Sequence, residues 1–266
     1  LIGFHGQTIY HNPEKKISIQ LGDPIKLTKM LNKDVIFDFR SNDLALGGQG
    51  APLAPIYHRF IIENLNLKLP SCILNIGGVA NLTFWDGENL IGFDTGPGNC
   101  LMDDYALSAF NINFDENGHL ASKGKPIEEE VQKFLQHKFF QKSPPKSLDR
   151  LSFKTDYNEF INKNYSVYNK MATLAEFTVE TIAVSLNLLP KKVTNILITG
   201  GGLRNLHLMK RLKDKLKLIV YNEKQLGINF DYIESELIAY LSARSLYRLP
   251  ITFPTTTGVE KPLSGR

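Results

Sequence analysis

The chain has 266 residues, 31 basic against 27 acidic for a net charge of +4, and 42% hydrophobic residues. That balance is too even for a nucleic-acid protein by bulk charge, no apolar run is long enough to span a bilayer, and two cysteines, Cys72 and Cys100, cannot frame a disulfide-stapled fold and fit a reducing, cytoplasmic setting. At roughly 150 residues per domain the length fits one large domain or two modest ones, with enough chain to bury a core unaided by metal.

In chain order, Leu1 to Phe4 reads as a strand, and Leu1 inside that apolar run predicts a chain that starts mid-fold. Ile17-Ser18-Ile19 alternates like a strand and Pro24 to Leu31 has helical spacing. Val35 to Phe39 is a strand running into a polar, glycine-rich stretch; Pro55 to Leu65 is helical; Pro70 marks a boundary. Cys72 to Ile76, Ala80 to Trp85 and Leu90 to Phe93 are short strands joined by glycine turns, the signature of a meander. Helices are expected from Leu101 to Phe110 and from Ile127 to Phe140, the second with Glu128, Glu129 and Glu130 in its first turn. A stripe from Val167 to Leu186 is a further helix. Ile196 to Ile198 is a strand closing on three glycines and a basic helix, Leu218 to Tyr221 a strand, and Ile233 to Tyr247 a long helix. Pro250 and Pro254 predict an irregular tail. Strands alternating with helices favour an α/β sheet protein.

Three segments repeat one design, an apolar strand followed by glycines: Asn75-Ile76-Gly77-Gly78, Asp94-Thr95-Gly96-Pro97-Gly98-Asn99 and Gly200-Gly201-Gly202 with Asn205. Glycine lets backbone N–H groups approach an anion closely, and a helix start beyond the loop adds positive potential. None matches the Walker or dinucleotide fingerprints, so a nucleotide site of another class is expected.

Asp94, at a strand end above a glycine loop, is placed to act as general base or metal-associated group, or to cap a turn. Arg40 offers a fork for a carboxylate or phosphate. With Gly47, Gly48, Gln49 and Gly50 it forms either a sugar-binding loop or a surface loop capped by Asp43. His5 serves as a ligand donor or acceptor, or as structure. Asp231-Tyr232-Ile233-Glu234 has capping-box spacing, which gives Glu234 a structural reading. His58, His119, His137 and His207 are scattered without metal-ligand spacing, so no protein metal site is expected.

Taken in order, His5-Gly6-Gln7-Thr8, Asp38-Phe39-Arg40 with Gly47 to Leu53, Asn75 to Asn81, Gly92 to Asn99, and Gly200 to Gly202 with Asn205 closely resemble the anhydro-N-acetylmuramic acid kinase family. Pro144-Pro145-Lys146-Ser147 and Thr257-Gly258-Val259 through Pro262 share the resemblance, which runs from residue 1 to 263. It implies an actin/hexokinase-like (ribonuclease H-like) ATPase fold of two α/β domains. Residues 1–70 would form the first domain, and 71–266 the second, with the extreme C-terminus packing back on the first. It implies ATP and Mg²⁺ as cofactors, conversion of 1,6-anhydro-N-acetylmuramic acid and water to N-acetylmuramic acid 6-phosphate and ADP in peptidoglycan recycling, and a homodimer. Nucleic-acid and membrane partners are not expected.

By that resemblance Asp94 is the base that activates water, and His5, Arg40, Gly48, Gln49, Gly50 and Glu234 face the sugar. Gly77 and Gly78 approach phosphate, Gly200, Gly201 and Gly202 flank adenosine, and Asn81, Gly96, Gly98, Asn99 and Asn205 belong to the same cofactor site. The family's opening Gly-Thr-Ser-x-Asp-Gly phosphate loop has no counterpart among these residues. The first domain is therefore expected to be incomplete, and a remnant that binds without turnover stands as the alternative reading.

Overall fold

The computed structural model describes residues 1–221, 226–229 and 232–265. Its centre is a five-stranded sheet built from β5 (Ser71–Ile76), β6 (Val79–Trp85), β7 (Leu90–Pro97), β8 (Asn195–Thr199) and β9 (Ile219–Tyr221), in the order β7-β6-β5-β8-β9. The β5-β6-β7 meander is antiparallel, as the glycine turns require, and β8 and β9 join parallel to β5.

Side chains alternate across this sheet with the two-residue period of a pleated strand. Cys72, Leu74 and Ile76 of β5 enter one apolar cluster with Leu82, Phe84, Phe93, Ile196 and Ile198. Ile73, Trp85, Leu90 and Leu197 enter the other. Both faces are thus covered, which explains why β5 and β8 read as continuous apolar runs.

The first cluster is closed by α4 (Cys100–Phe110), α5 (Glu128–Leu135), α6 (Lys154–Ile161), α7 (Val167–Leu186) and α8 (Leu206–Leu216). α7 is capped by Ser166, whose side chain accepts from Asn169 N–H at 3.1 Å. Its Phe177 meets Phe134 with ring centres 4.8 Å apart, a stacked pair at the heart of the core. The second cluster is closed by α3 (Pro55–Asn64) and α9 (Ile233–Leu246).

Smaller pieces carry the rest. β1 (Ile2–Gly3) pairs parallel with β4 (Val35–Ile36), and β2 (Gln7–Asn12) forms a hairpin with β3 (Ile17–Leu21). α1 (Pro24–Leu31) starts on Asp23, which accepts from Lys26 N–H at 2.8 Å, and α2 (Ser41–Ala45) follows β4. α9 crosses β1 so closely that a Cβ at Gly3 would lie 2.2 Å from Ser242 Oγ.

Three expectations need correction. The helix expected over 127–140 stops at Leu135 and resumes as a 3₁₀ turn, Lys138–Gln141, with the His137 ring accepting from Phe139 N–H at 3.2 Å. The strand expected over 35–39 is two residues long, because Asp38 takes a left-handed backbone, φ 59°, that breaks the pleat. The tail is ordered: β10 (Pro250–Thr252), a short α10 (Pro254–Thr257) and β11 (Leu263–Ser264), with β10 and β11 pairing antiparallel. β2 and α6 were not foreseen. The Asp231 half of the expected capping box lies outside the described residues; α9 begins at Ile233, with Tyr232 at its N-cap position and no side-chain cap bond.

Candidate active site

The carboxyl-end edge of the central sheet carries a polar rung. Register places Asp94 beside Asn81, Asn81 beside Asn75, and Asn75 beside Thr199, on four adjacent strands. All four line a single cavity of about 670 Å³. The opposite wall comes from Gly3 to Thr8, Arg40, Ala51 to Ala54, and Ile233 to Ile238 at the start of α9. Of the expected site residues, the fold therefore brings His5, Arg40, Asn81, Asp94 and Glu234 into one space.

Asp94 is held rigidly. Its N–H donates to the Lys146 carbonyl at 3.0 Å, and its Oδ2 accepts from Leu148 N–H at 2.7 Å. Burial pushes its carboxyl up to about 7, against the opposing pull of that N–H, Arg40 and Lys146. A carboxyl that ionises near neutrality is suited to general-base work.

Arg40 is the hub of the facing wall. It donates to the Gly50 carbonyl at 2.6 Å and to His5 Nε2 at 3.0 and 3.2 Å. His5 Nδ1–H in turn donates to the Gly6 carbonyl at 2.8 Å, so both ring nitrogens are engaged and the imidazole is neutral. Burial, and next Arg40, lower its pKa in keeping with that tautomer. His5 thus lines the cavity mainly as the orienter of Arg40. Burial lowers the guanidinium to about 10, opposed by Asp94 and Asp43, so it stays charged at neutral pH.

Gly48, Gln49 and Gly50 support this wall rather than line it. Asp43 is buried, accepting from Gly50 N–H and from Thr257 Oγ1, both at 2.6 Å. A Cβ at Gly48 would fall 2.1 Å from the Asp43 carboxylate, so only glycine fits there. Gln49 N–H donates to the Thr257 carbonyl at 2.7 Å, and its Oε1 accepts from Ser147 Oγ at 2.5 Å. The surface-loop reading of Asp43 is therefore replaced by an internal clamp.

The glycine loops cluster at the ends of β5, β7 and β8. Gly200 has φ 84°, and a Cβ there would lie 2.8 Å from the Ile76 carbonyl oxygen, so glycine is needed to let the loops touch. Gly96, Gly98 and Gly202 are likewise packed, against Thr181, the Gly77 carbonyl and Ile76. Gly77, Gly78 and Gly201 differ: a Cβ would meet nothing nearer than 3.5, 3.8 and 3.6 Å. Packing does not demand glycine at these three, which leaves bare backbone just beyond the ends of β5 and β8, outside the residues that line the cavity. Asn99 Nδ2 donates to the Ile76 carbonyl at 3.2 Å, while Asn205 caps α8 by accepting from Leu208 N–H at 2.9 Å.

Glu234 sits exposed in the first turn of α9 at the cavity wall, close enough to His5 to act on it electrostatically. Sequence reasoning missed Asn75 and Thr199 as cavity residues, although each directly precedes or nearly precedes a glycine loop. Thr199 Oγ1 is buried with no hydrogen-bond partner among the described residues. His58 is a buried neutral imidazole bonded to Thr83 Oγ1 at 2.7 Å. Among the described residues no group of three His, Cys, Asp or Glu side chains is arranged to hold a metal, and no helix is long and apolar enough to cross a membrane.

The family profile described as anhydro-N-acetylmuramic acid kinase matches residues 1–264. The chain belongs to that family. Proteins named anhydro-N-acetylmuramic acid kinase from two Rhodopseudomonas palustris strains, HaA2 and BisB18, are 43% and 44% identical to it over 267 residues, covering 100% of the chain and 72% of each relative. One from Zymomonas mobilis is 41% identical over the same span. Among solved structures, a ligand-bound xylulose kinase from Lactobacillus acidophilus covers 86% of this chain and 48% of its own, at 14% identity and a TM-score of 0.42. An activator of 2-hydroxyisocaproyl-CoA dehydratase from Clostridium difficile, with bound ADPNP, covers 80% and 73%, at 12% identity and a TM-score of 0.41. In this member of the anhydro-N-acetylmuramic acid kinase family the chain is mixed α/β, built on the five-stranded sheet that carries the polar rung.

Proposed function

We propose that the chain phosphorylates 1,6-anhydro-N-acetylmuramic acid, using ATP and water to give N-acetylmuramic acid 6-phosphate and ADP. The observation that carries this reading is the family match along residues 1–264, joined to a buried carboxyl at the cavity floor. Asp94 accepts a proton from a water that attacks C1 of the sugar. The C1–O6 bond breaks, and O6 becomes the acceptor of the phosphoryl group. Arg40, fixed by His5 and Gly50, binds the sugar side and favours ionised Asp94. Glu234 contributes a second carboxylate to the sugar from the rim. The reaction places the enzyme in peptidoglycan recycling in the cytoplasm, with residues 1–70 and the start of α9 forming one wall of its cleft and the sheet ends within 71–266 the other.

ATP supplies the transferable γ-phosphoryl group, and Mg²⁺ offsets phosphate charge. The bare backbone of Gly77, Gly78 and Gly201 fits phosphate and adenosine, because unencumbered N–H groups bind anions. Gly78→Ala is expected to leave the melting temperature within about 2 °C, given the open space at that Cβ, and to raise KM for ATP by about tenfold, an effect of roughly 1.4 kcal/mol. Paired thermal melts and ATP titrations check this, and an unchanged KM removes Gly78 from the nucleotide site.

The function itself is tested by incubating the chain with ATP, Mg²⁺ and 1,6-anhydro-N-acetylmuramic acid in ¹⁸O-water. The expected product is the 6-phosphate carrying ¹⁸O at C1. Product labelled nowhere, with the anhydro bond intact, defeats the reading.

A further inference from the structure

A second cation stands behind Asp94. Lys146 belongs to the Pro144–Leu148 segment beside β7, and it is only 3% exposed. Its ammonium lies 4.5 Å from the Phe139 ring centre and 5.9 Å from those of Phe93 and Phe140. Its hydrogen bond to the Phe139 carbonyl is long, 3.4 Å. An ammonium buried among aromatic rings gains from their faces but still loses most of its hydration, a cost that calls for an opposing charge. That charge is Asp94, with which Lys146 interacts attractively.

The same segment grips Asp94 through the backbone, by the Lys146 carbonyl and the Leu148 N–H. Ring cage and backbone therefore fix ammonium and carboxylate relative to each other. Lys146 is not among the residues lining the cavity, so it reaches the chemistry only through Asp94.

We propose that Lys146 is a positioning residue of this site, whose caged ammonium holds the Asp94 carboxylate ionised from the side away from the substrate. The inference rests on the reading of Asp94 as base. The other groups facing that carboxylate are Arg40 from the segment after β4, with Asp43 and His5 acting on Arg40, Leu148 N–H beside Lys146, and the Asn81 amide on β6. Arg40 faces the cavity and meets substrate; Lys146 does not. Among the described residues that act on Asp94, the ammonium is the cation whose charge sits outside the cavity that ligands would reach. Burial brings Lys146 down to about 8, with Asp94 acting against that fall, so it remains charged where Asp94 ionises.

The test compares Lys146→Met, Lys146→Arg and Asp94→Asn in kcat/KM from pH 5.5 to 9.5. Methionine keeps the stem against the rings and removes the charge. The acidic limb of Lys146→Met is expected to move up by about one pH unit, giving an about tenfold loss at pH 6.5 that closes by pH 9. Lys146→Arg is expected to restore the limb. A limb that stays in place, or a loss equal at every pH, overturns the proposal, since a purely structural role gives no pH-dependent recovery. Should Lys146→Met unfold at the assay temperature, Lys146→Gln against Lys146→Arg makes the same contrast. An active Asp94→Asn enzyme defeats the base reading itself, whereas an inactive one beside an unmoved Lys146→Met limb removes only the role of Lys146.

Discussion

Asp94→Asn is expected to lower kcat by about 10²- to 10⁴-fold, the range for losing a positioned general base, with KM for the anhydro sugar little changed. Steady-state kinetics with the anhydro sugar check it; near-native turnover removes Asp94 as base. In the native enzyme the acidic limb of kcat/KM should fall near pH 7 rather than near 4, because burial raises this carboxyl to about 7. The same shift has a stability consequence of definite sign. Between its ordinary value of 3.8 and about 7, Asp94 binds a proton in the folded state that it does not bind unfolded. The ionised group therefore weakens the fold, fully above pH 7 and not at all below its ordinary range. Asp94→Asn should melt higher than the native chain at pH 8 and no higher at pH 4. A catalytic loss joined to a gain in stability separates this residue from one that merely supports the fold.

Arg40→Met is expected to cost both activity and stability. Removing one partner of a buried charged network costs about 3–5 kcal/mol, and here the guanidinium answers Asp94 and Asp43 together. The Gly50 carbonyl and His5 Nε2 would lose their donor as well. We expect a melting temperature lower by on the order of 10 °C and kcat/KM lower by at least about 100-fold, with the residual activity confined to more alkaline pH because Asp94 loses a cation. Denaturant unfolding and a pH profile measure the two parts. A variant as stable as the native chain removes the hub role given to Arg40.

The sheet was legible because its signals are local. Apolar runs of strand length, broken by Gly77-Gly78 and by Asp86 to Asn89, pointed to a meander, and β5 to β7 follow that plan. Asp94 and Arg40 stood out as charged groups in or above glycine-rich loops, whereas Asn81 entered only through the family resemblance. Features set by distant contacts were less legible. Gln49 and Gly48 were read as ligand contacts, and nothing local revealed their partners in the fold, Thr257, Ser147 and Asp43, two of them about a hundred residues or more away in the chain. Lys146 carries no local pattern at all; only folding shows that three phenylalanine rings surround it. The break in the helix at Leu135 likewise depends on the His137 ring competing for a backbone N–H, which periodicity does not register.

The clamp between Asp43 and Thr257 spans 214 residues. During synthesis, Arg40 and its loop leave the ribosome long before α10 exists, so their closing hydrogen bonds must wait until the residues that separate Asp43 from Thr257 have been translated. Loop closure over such a distance is slow and entropically late. The central sheet and α7 have their partners earlier, which makes them the template on which the Arg40 wall is set last. Translation errors or stalls beyond β9 would thus yield a chain that is mostly folded yet lacks a finished site, and such a species would expose the polar interior of the cleft to proteases before it ever bound a substrate.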